Sequence, residues 1–213
     1  MNSLKQYRLA LSIAGLLALS QSAMGLNHII SAKTGAIVYP DAVDIVWGNG
    51  GRTGSYAMIL NQVEWRIVMP SLFYASLNTG YSYSPRPDEG FDNYSLRISL
   101  TNLGCGFGRS LVFKYCEVSY GVGLSYISLK YLPVYFTETV EEVDNIFSPS
   151  IDAQLVTRIS ENISLIAGCA LNYVGEYKTE IFFNHYISSQ VFVRHGGWSN
   201  TISIGLSYSP GKK

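Results

Sequence analysis

Two stretches of this chain alternate large apolar and small residues so regularly that an extended backbone is needed to use the pattern. Within Glu117–Lys130, Val118, Tyr120, Val122, Leu124 and Tyr126 occupy one set of alternate positions, and Ser119, Gly121, Gly123 and Ser125 the other. Within Ile163–Tyr177, Ile163, Leu165, Ala167, Cys169, Leu171 and Tyr173 alternate with Ser164, Ile166, Gly168, Ala170 and Asn172. Successive side chains of a strand point to opposite faces, so a period of two reads as β-strand. A soluble sandwich would place charged residues on its outer face. Here the second face is glycine, serine and asparagine, with almost no lysine or glutamate. That composition suits a strand whose apolar face meets lipid and whose small face lines a narrow lumen.

The signature recurs. Asn200, Ile202, Ile204, Leu206 and Tyr208 alternate with Thr201, Ser203, Gly205 and Ser207. Phe73, Ala75, Leu77, Thr79, Tyr81 and Tyr83 oppose Tyr74, Ser76, Asn78, Gly80 and Ser82. Tyr94, Leu96, Ile98 and Leu100 form an apolar face against Ser95, Arg97, Ser99 and Thr101. Ile151, Ala153, Leu155 and Ile159 oppose Asp152, Gln154, Arg158 and Ser160, so here the inward face carries both signs of charge. These runs approach the roughly ten residues that a tilted strand needs to cross a bilayer.

Composition agrees. Charged residues make up 14% of the chain, against about a quarter in soluble domains. Sixteen tyrosines outnumber nine phenylalanines, and an apolar ring with a polar tip suits the membrane–water interface. A net charge of zero offers no electrostatic reason to expect nucleic acid as a partner. At 213 residues, one folded domain is the expectation. The three cysteines, Cys105, Cys116 and Cys169, are too few and too scattered for a disulfide framework or a CxxC metal site. A hairpin over 105–116, tipped near Ser110, would set Cys105 opposite Cys116, where an oxidising compartment permits a bridge.

Residues 1–25 read as a secretory signal peptide. Lys5 and Arg8 precede the apolar run Leu9–Leu19, and Ala23-Met24-Gly25 supplies a small-residue cleavage site. No stretch is long and apolar enough for a spanning helix. An exported membrane protein without one must close its strands into a barrel, because lipid satisfies no free backbone group. The expected organisation is a signal peptide over 1–25, an N-terminal periplasmic or plug segment over 26–54 and a transmembrane barrel over 55–213. Outer-membrane lipid and the machinery that inserts barrels are the expected partners, and the outer membrane of a double-membraned bacterium the expected location.

In Gly35–Gly51, Asp41 is placed to cap a short helical turn with Ala42, Ile45 and Val46 on one face, ended by the glycines after Trp47. Gly35-Ala36, Asp41, Trp47 and Asn49 resemble the N-terminal signature of the FadL-type fatty-acid transporters and the related PorV/PorQ-like outer-membrane proteins. Gly50-Gly51 stands where that signature has Pro-Ala. Tyr120–Tyr126 and the run from Phe147 to Gly175 are similar to the family's strands and turns. The resemblance implies an antiparallel transmembrane β-barrel with a short N-terminal helical or plug segment inside it. It also implies transport of small hydrophobic molecules. Residues 26–213 are too few for the family's fourteen strands, so the barrel would be a reduced one. Small barrels resembling the OmpW or OmpA transmembrane domain are the competing relatives.

From Ser55, strands are expected near 55–69, 71–84, 91–103, 105–115, 117–131, 148–160, 163–178, 184–195 and 198–209. Barrels favour even numbers, so eight strands are expected, with ten the alternative. Leu100–Cys116 is either a hairpin or the inner end of one strand. The acidic stretch Pro133–Asn145, with Glu138, Glu141, Glu142 and Asp144, reads as an outer loop, and Ser160-Glu161-Asn162 as a periplasmic turn.

No HExxH, GxSxG or P-loop is present, and His28, His185 and His195 are far apart in sequence. Neither catalysis, a cofactor nor a metal is expected. The ionisable groups expected to face the lumen are Glu64, Arg66, Arg97, Asp152 and Arg158. Charges at membrane depth are costly and need partners, either to plug the lumen or to guide a solute. Asp41 and Asp44 are expected to approach Arg66 or Arg97, with Trp47 filling the space beside small residues. Two functions follow: a channel or transporter for small, hydrophobic molecules, or a non-transporting surface barrel serving as antigen, adhesin or anchor.

Overall fold

The computed structural model describes residues 26–47, 50–83, 96–133, 141–182 and 190–210, with side chains for 26–38, 57–83, 99–130, 146–175 and 197–210. Eight strands follow one another: β1 (Asn27–Trp47), β2 (Gly50–Val68), β3 (Phe73–Tyr83), β4 (Leu96–Val112), β5 (Cys116–Pro133), β6 (Glu141–Arg158), β7 (Ile163–Phe182) and β8 (Gln190–Tyr208). Each pairs antiparallel with its neighbours, and β1 pairs with β8 to close the barrel. Closure leaves no unpaired sheet edge, the condition for putting strands into lipid.

The expected count of eight is correct, but two of the strands are longer than expected and one is new. Residues 91–103 and 105–115 do not form separate strands; β4 runs unbroken through Gly104, Gly106 and Gly108. The hairpin over 105–116 is therefore absent. Cys105 sits opposite Leu124 and Cys116 opposite Thr157, and all three cysteines are free. Likewise β8 carries one strand through the region where two were expected. Gly197, at φ +92, lies where the register with β7 slips between Val174 and Tyr177. A glycine tolerates that conformation, so the strand bulges rather than ends.

The new strand corrects the reading of the N-terminal segment. No helical turn forms at Asp41–Val46: these residues continue β1, with Val43 opposite Gly54 of β2 and His195 of β8. The register slips between Tyr39 and Val43, around Pro40, which has no N–H to give to a ladder. Ala42, Ile45 and Val46 have helical spacing, but Val43, Ile45 and Trp47 fit a period of two equally well. So short a run cannot distinguish them by itself. The barrel thus begins at Asn27, not at residue 55, and 26–54 is no separate plug. The signal peptide expected over 1–25 lies outside the described residues.

Both chain ends of the barrel, Asn27 and Tyr208, lie at the end that carries the short turns 69–72, 113–115 and 159–162. The strand ends Trp47, Gly50, Tyr83, Leu96, Pro133, Glu141, Phe182 and Gln190 lie at the opposite end. Ser160–Asn162 and the described acidic residues Glu141 and Glu142 therefore occupy opposite ends, as expected. Glu141, Glu142 and Asp144 nevertheless belong to β6, with Lys130 opposite Glu142.

Alternation sorts the side chains. Ile202 is 69% exposed, Leu103 64% and Ile151 61%, all on the outside. Aromatic pairs stud that surface: Tyr173 with Trp198 at 5.1 Å between ring centres, Tyr126 with Phe147 and Phe73 with Phe107 both at 5.7 Å. One face assignment is reversed. In β4, Leu100 is buried in the lumen with Gly104, Gly108 and Ser110, while Thr101, Leu103, Cys105 and Phe107 face out. The apolar residues change parity between Leu100 and Leu103, so the eight residues 94–101 misrepresented the strand they begin.

Candidate functional site in the lumen

The inward residues fall into three tiers along the barrel axis. The tier nearest the short turns is ionic. Glu64 of β2 accepts from Lys33 of β1 and, through its other oxygen, from Arg66 Nε at 3.0 Å and Nη2 at 2.7 Å. Gln154 Nε2 of β6 donates to Glu64 across the lumen at 3.3 Å. Arg66 Nη1 donates to Ser119 Oγ at 2.9 Å, and Ser119 lies 3.1 Å from Ser110. Lys33, Glu64 and Arg66 are all buried. Strand spacing explains the arrangement, since Glu64 and Arg66 are two apart on one face and share it with Lys33 of the paired strand.

Tyr74 of β3 completes this tier. Its ring lies 4.1 Å beneath the Arg66 guanidinium and its hydroxyl lies 3.4 Å from Asp152. The aromatic face stabilises the cation. Gly108 and Gly121 make the room: a Cβ on Gly108 would come within 2.5 Å of the tyrosine hydroxyl, and one on Gly121 would collide with it. Gly108 and Gly121 thus serve as the bed of a buried tyrosine, while Gly104 and Gly106 lie against Asn78, Ser125 and Ser76.

Above the ionic tier lies a cavity of about 120 Å³, walled by hydroxyl and carboxamide side chains such as Ser76, Asn78, Ser125, Ser150, Asn172 and Thr201. Farther from the short turns comes an apolar tier. Ile37, Met58, Leu60, Leu100, Ile127, Leu129, Ile146 and Val174 are all buried, and Ile37, Leu60, Leu100 and Ile127 also touch the cavity. The alternation predicts a lumen lined by small and polar groups, and this apolar tier departs from it. Its signal was present in the parity: Leu129 and Ile127 continue the register of Ser119, Gly121 and Gly123.

Of the expected lumen residues, Glu64, Arg66 and Asp152 are brought together. Arg158 is not: it lies exposed at the last position of β6, beside the 159–162 turn, so it is no part of the lumen charge. Asp41, Asp44 and Trp47 lie in β1 and Arg97 in β4, with side chains outside the described residues, and Asn49 lies outside them entirely. Lys33, Tyr74 and Gln154 join Glu64, Arg66 and Asp152; Tyr74 and Gln154 stand on the faces that the alternation turns inward, whereas Lys33 stands in the segment whose sequence suggests a plug. Lys33 was hidden because its segment was read as a plug rather than a strand.

The fold is that of bacterial outer-membrane barrels. The chain is similar to Neisserial surface protein A, with a TM-score of 0.58 at 11% identity over 86% of this chain and 98% of that one. It is similar to OprG of Pseudomonas aeruginosa, at 0.57 and 12% identity over 87% and 97%. A major outer membrane protein of Thermus thermophilus matches at 0.54 and 14% identity over 86% and 99%. No protein-family model and no curated protein matches the sequence. These neighbours are small barrels, the relatives that competed with the FadL-type resemblance. In the Gly35–Gly51 segment that suggested a FadL-like plug, residues 35–47 belong to β1 and Gly50 and Gly51 to β2 instead.

Proposed function

We propose that this protein is an outer-membrane barrel, exported to a double-membraned bacterium's surface, whose lumen is closed to ion flow and whose work is done at the loop end. It would act as a surface-exposed, non-enzymatic barrel, with lipid as its medium and the barrel-insertion machinery as its route there. The observation that carries this reading is the ionic tier. Lys33, Glu64, Arg66, Tyr74 and Gln154 reach one another across the interior. An eight-stranded barrel is just wide enough for its own side chains to fill. Refolded protein in planar bilayers is expected to show no discrete conductance. Steady single-channel steps, abolished by an antibody to the loops, would overturn the reading.

A second reading rests on the apolar tier. Eight buried apolar side chains toward the loop end are suited to a small hydrophobic molecule that enters from the loops and leaves sideways into lipid, above the ionic tier. Uptake of a fluorescent fatty-acid-like probe by vesicles bearing the barrel, without conductance, would favour it over a purely surface role.

A further inference from the structure

The cavity between the tiers presents a specific set of unused hydrogen-bonding groups. Gln154 is 8% exposed, and its Nε2 is committed to Glu64. Because a carboxylate only accepts, that contact fixes which end of the amide faces Glu64. Oε1 is therefore an acceptor left without a partner, on a residue that lines the cavity. Ser199 of β8, fully buried and also lining the cavity, has an Oγ without a partner as well. Asp152 also lines the cavity, and its bond from Tyr74 is a long 3.4 Å. On the donor side, Lys33 lines the cavity and carries three N–H bonds, of which Glu64 takes one.

Buried acceptors and donors of this kind are costly when empty-handed. A ligand that satisfies both must donate and accept at several points. A neutral ligand is favoured, since the formal charges of Lys33, Arg66, Glu64 and Asp152 cancel, Glu117 standing apart beyond Ser119, and an added charge among them would lie unpaired. A hydroxyl group donates and accepts from a single uncharged atom. The walls repeat that chemistry in Ser76, Ser125, Ser150 and Thr201. About 120 Å³ exceeds the roughly 10–15 Å³ that one water needs, and suits a solute of a few carbons.

We propose that the lumen cavity is a binding site for a small neutral polyol, seated on Gln154 Oε1, Asp152 and Lys33. This goes beyond the closed-barrel reading and does not depend on it. The test is NMR of ¹⁵N-labelled barrel refolded with erythritol present, so that entry is not limiting. The side-chain amide signals of Gln154 and Asn172 are expected to shift saturably. In Gln154→Leu, the Asn172 signal should need at least tenfold more erythritol. Paired Ser125→Ala and Ser150→Ala, which leave the ionic tier intact, should weaken binding severalfold. No saturable shift would mean that the cavity holds water alone, and would overturn the proposal. So would tighter binding of n-butanol or methylammonium than of erythritol. Conductance plays no part in this readout, so a leaky barrel that binds erythritol would sink the closed reading and leave this one standing.

Discussion

The two ends of the lumen are filled by opposite chemistries. Toward the short turns, four formal charges and a tyrosine bond one another across the barrel. Toward the loops, buried leucine, isoleucine, methionine and valine side chains fill the same cross-section. The apolar tier excludes water by packing and tolerates the loss of one contact with a proportionate cost. The ionic tier is held by mutual satisfaction, so removing one member strands the others. The barrel is therefore expected to be brittle at one end and forgiving at the other.

The sharpest break comes at Glu64. Glu64→Leu leaves Lys33 and Arg66 buried without their carboxylate, and should destabilise the refolded barrel by about 3–5 kcal/mol in guanidinium unfolding. Replacing all four charges together, Lys33→Met, Glu64→Leu, Arg66→Met and Asp152→Asn, should recover most of that loss, because none of the four is left without its partner. If the single variant is as stable as the parent, the two ends do not differ in this way. In the apolar tier, Leu129→Ala should cost about 2–4 kcal/mol by opening a cavity, read in the same unfolding series, with no rescue by a second truncation.

The outer face gives a third comparison. Leu124→Arg and Ile204→Arg should each cost roughly 2–4 kcal/mol where those positions lie near the bilayer midplane, measured by folding into lipid vesicles. Gly123→Ser should cost less, since its new Cβ would meet Ser150 Oγ at 2.6 Å, a side chain that can turn away. Smallest of all is Arg158→Ala, expected within about 0.5 kcal/mol of the parent because the residue is exposed. A cost near that of Glu64→Leu would return Arg158 to the lumen network. Orientation is checked separately: protease added to intact cells should cut within 134–140 and spare 159–162.

The alternation of Val118–Tyr126 and Ile163–Tyr173 is legible without coordinates because a strand's two faces meet two different solvents. Lipid demands a continuous apolar stripe, and a narrow lumen demands small residues where a large side chain must fit. The same logic yielded the closed barrel and the inward placement of Glu64, Arg66 and Asp152; the count of eight came from the even-number preference of barrels, with β4 and β8 each divided in two and β1 unread. It failed where the local pattern was compatible with two periods, at Asp41–Trp47, and where parity changed within a strand, at Leu100–Leu103.

What alternation cannot supply is which inward groups meet. Lys33, Glu64 and Gln154 belong to three strands, with Lys33 31 residues and Gln154 90 residues from Glu64 along the chain. Lys33 meets Glu64 through the register of the paired strands β1 and β2, whereas the reach of Gln154 to Glu64 depends on the curvature of the closed barrel, which brings β6 opposite β2. Likewise, glycines at 108 and 121 look like mere breaks in a strand until Tyr74 is seen lying over them. Residue order therefore carries the solvent-facing pattern, because each strand senses its two faces locally. The ionic floor, the polar cavity and the apolar tier come from packing across the barrel, which only the closed sheet brings into contact.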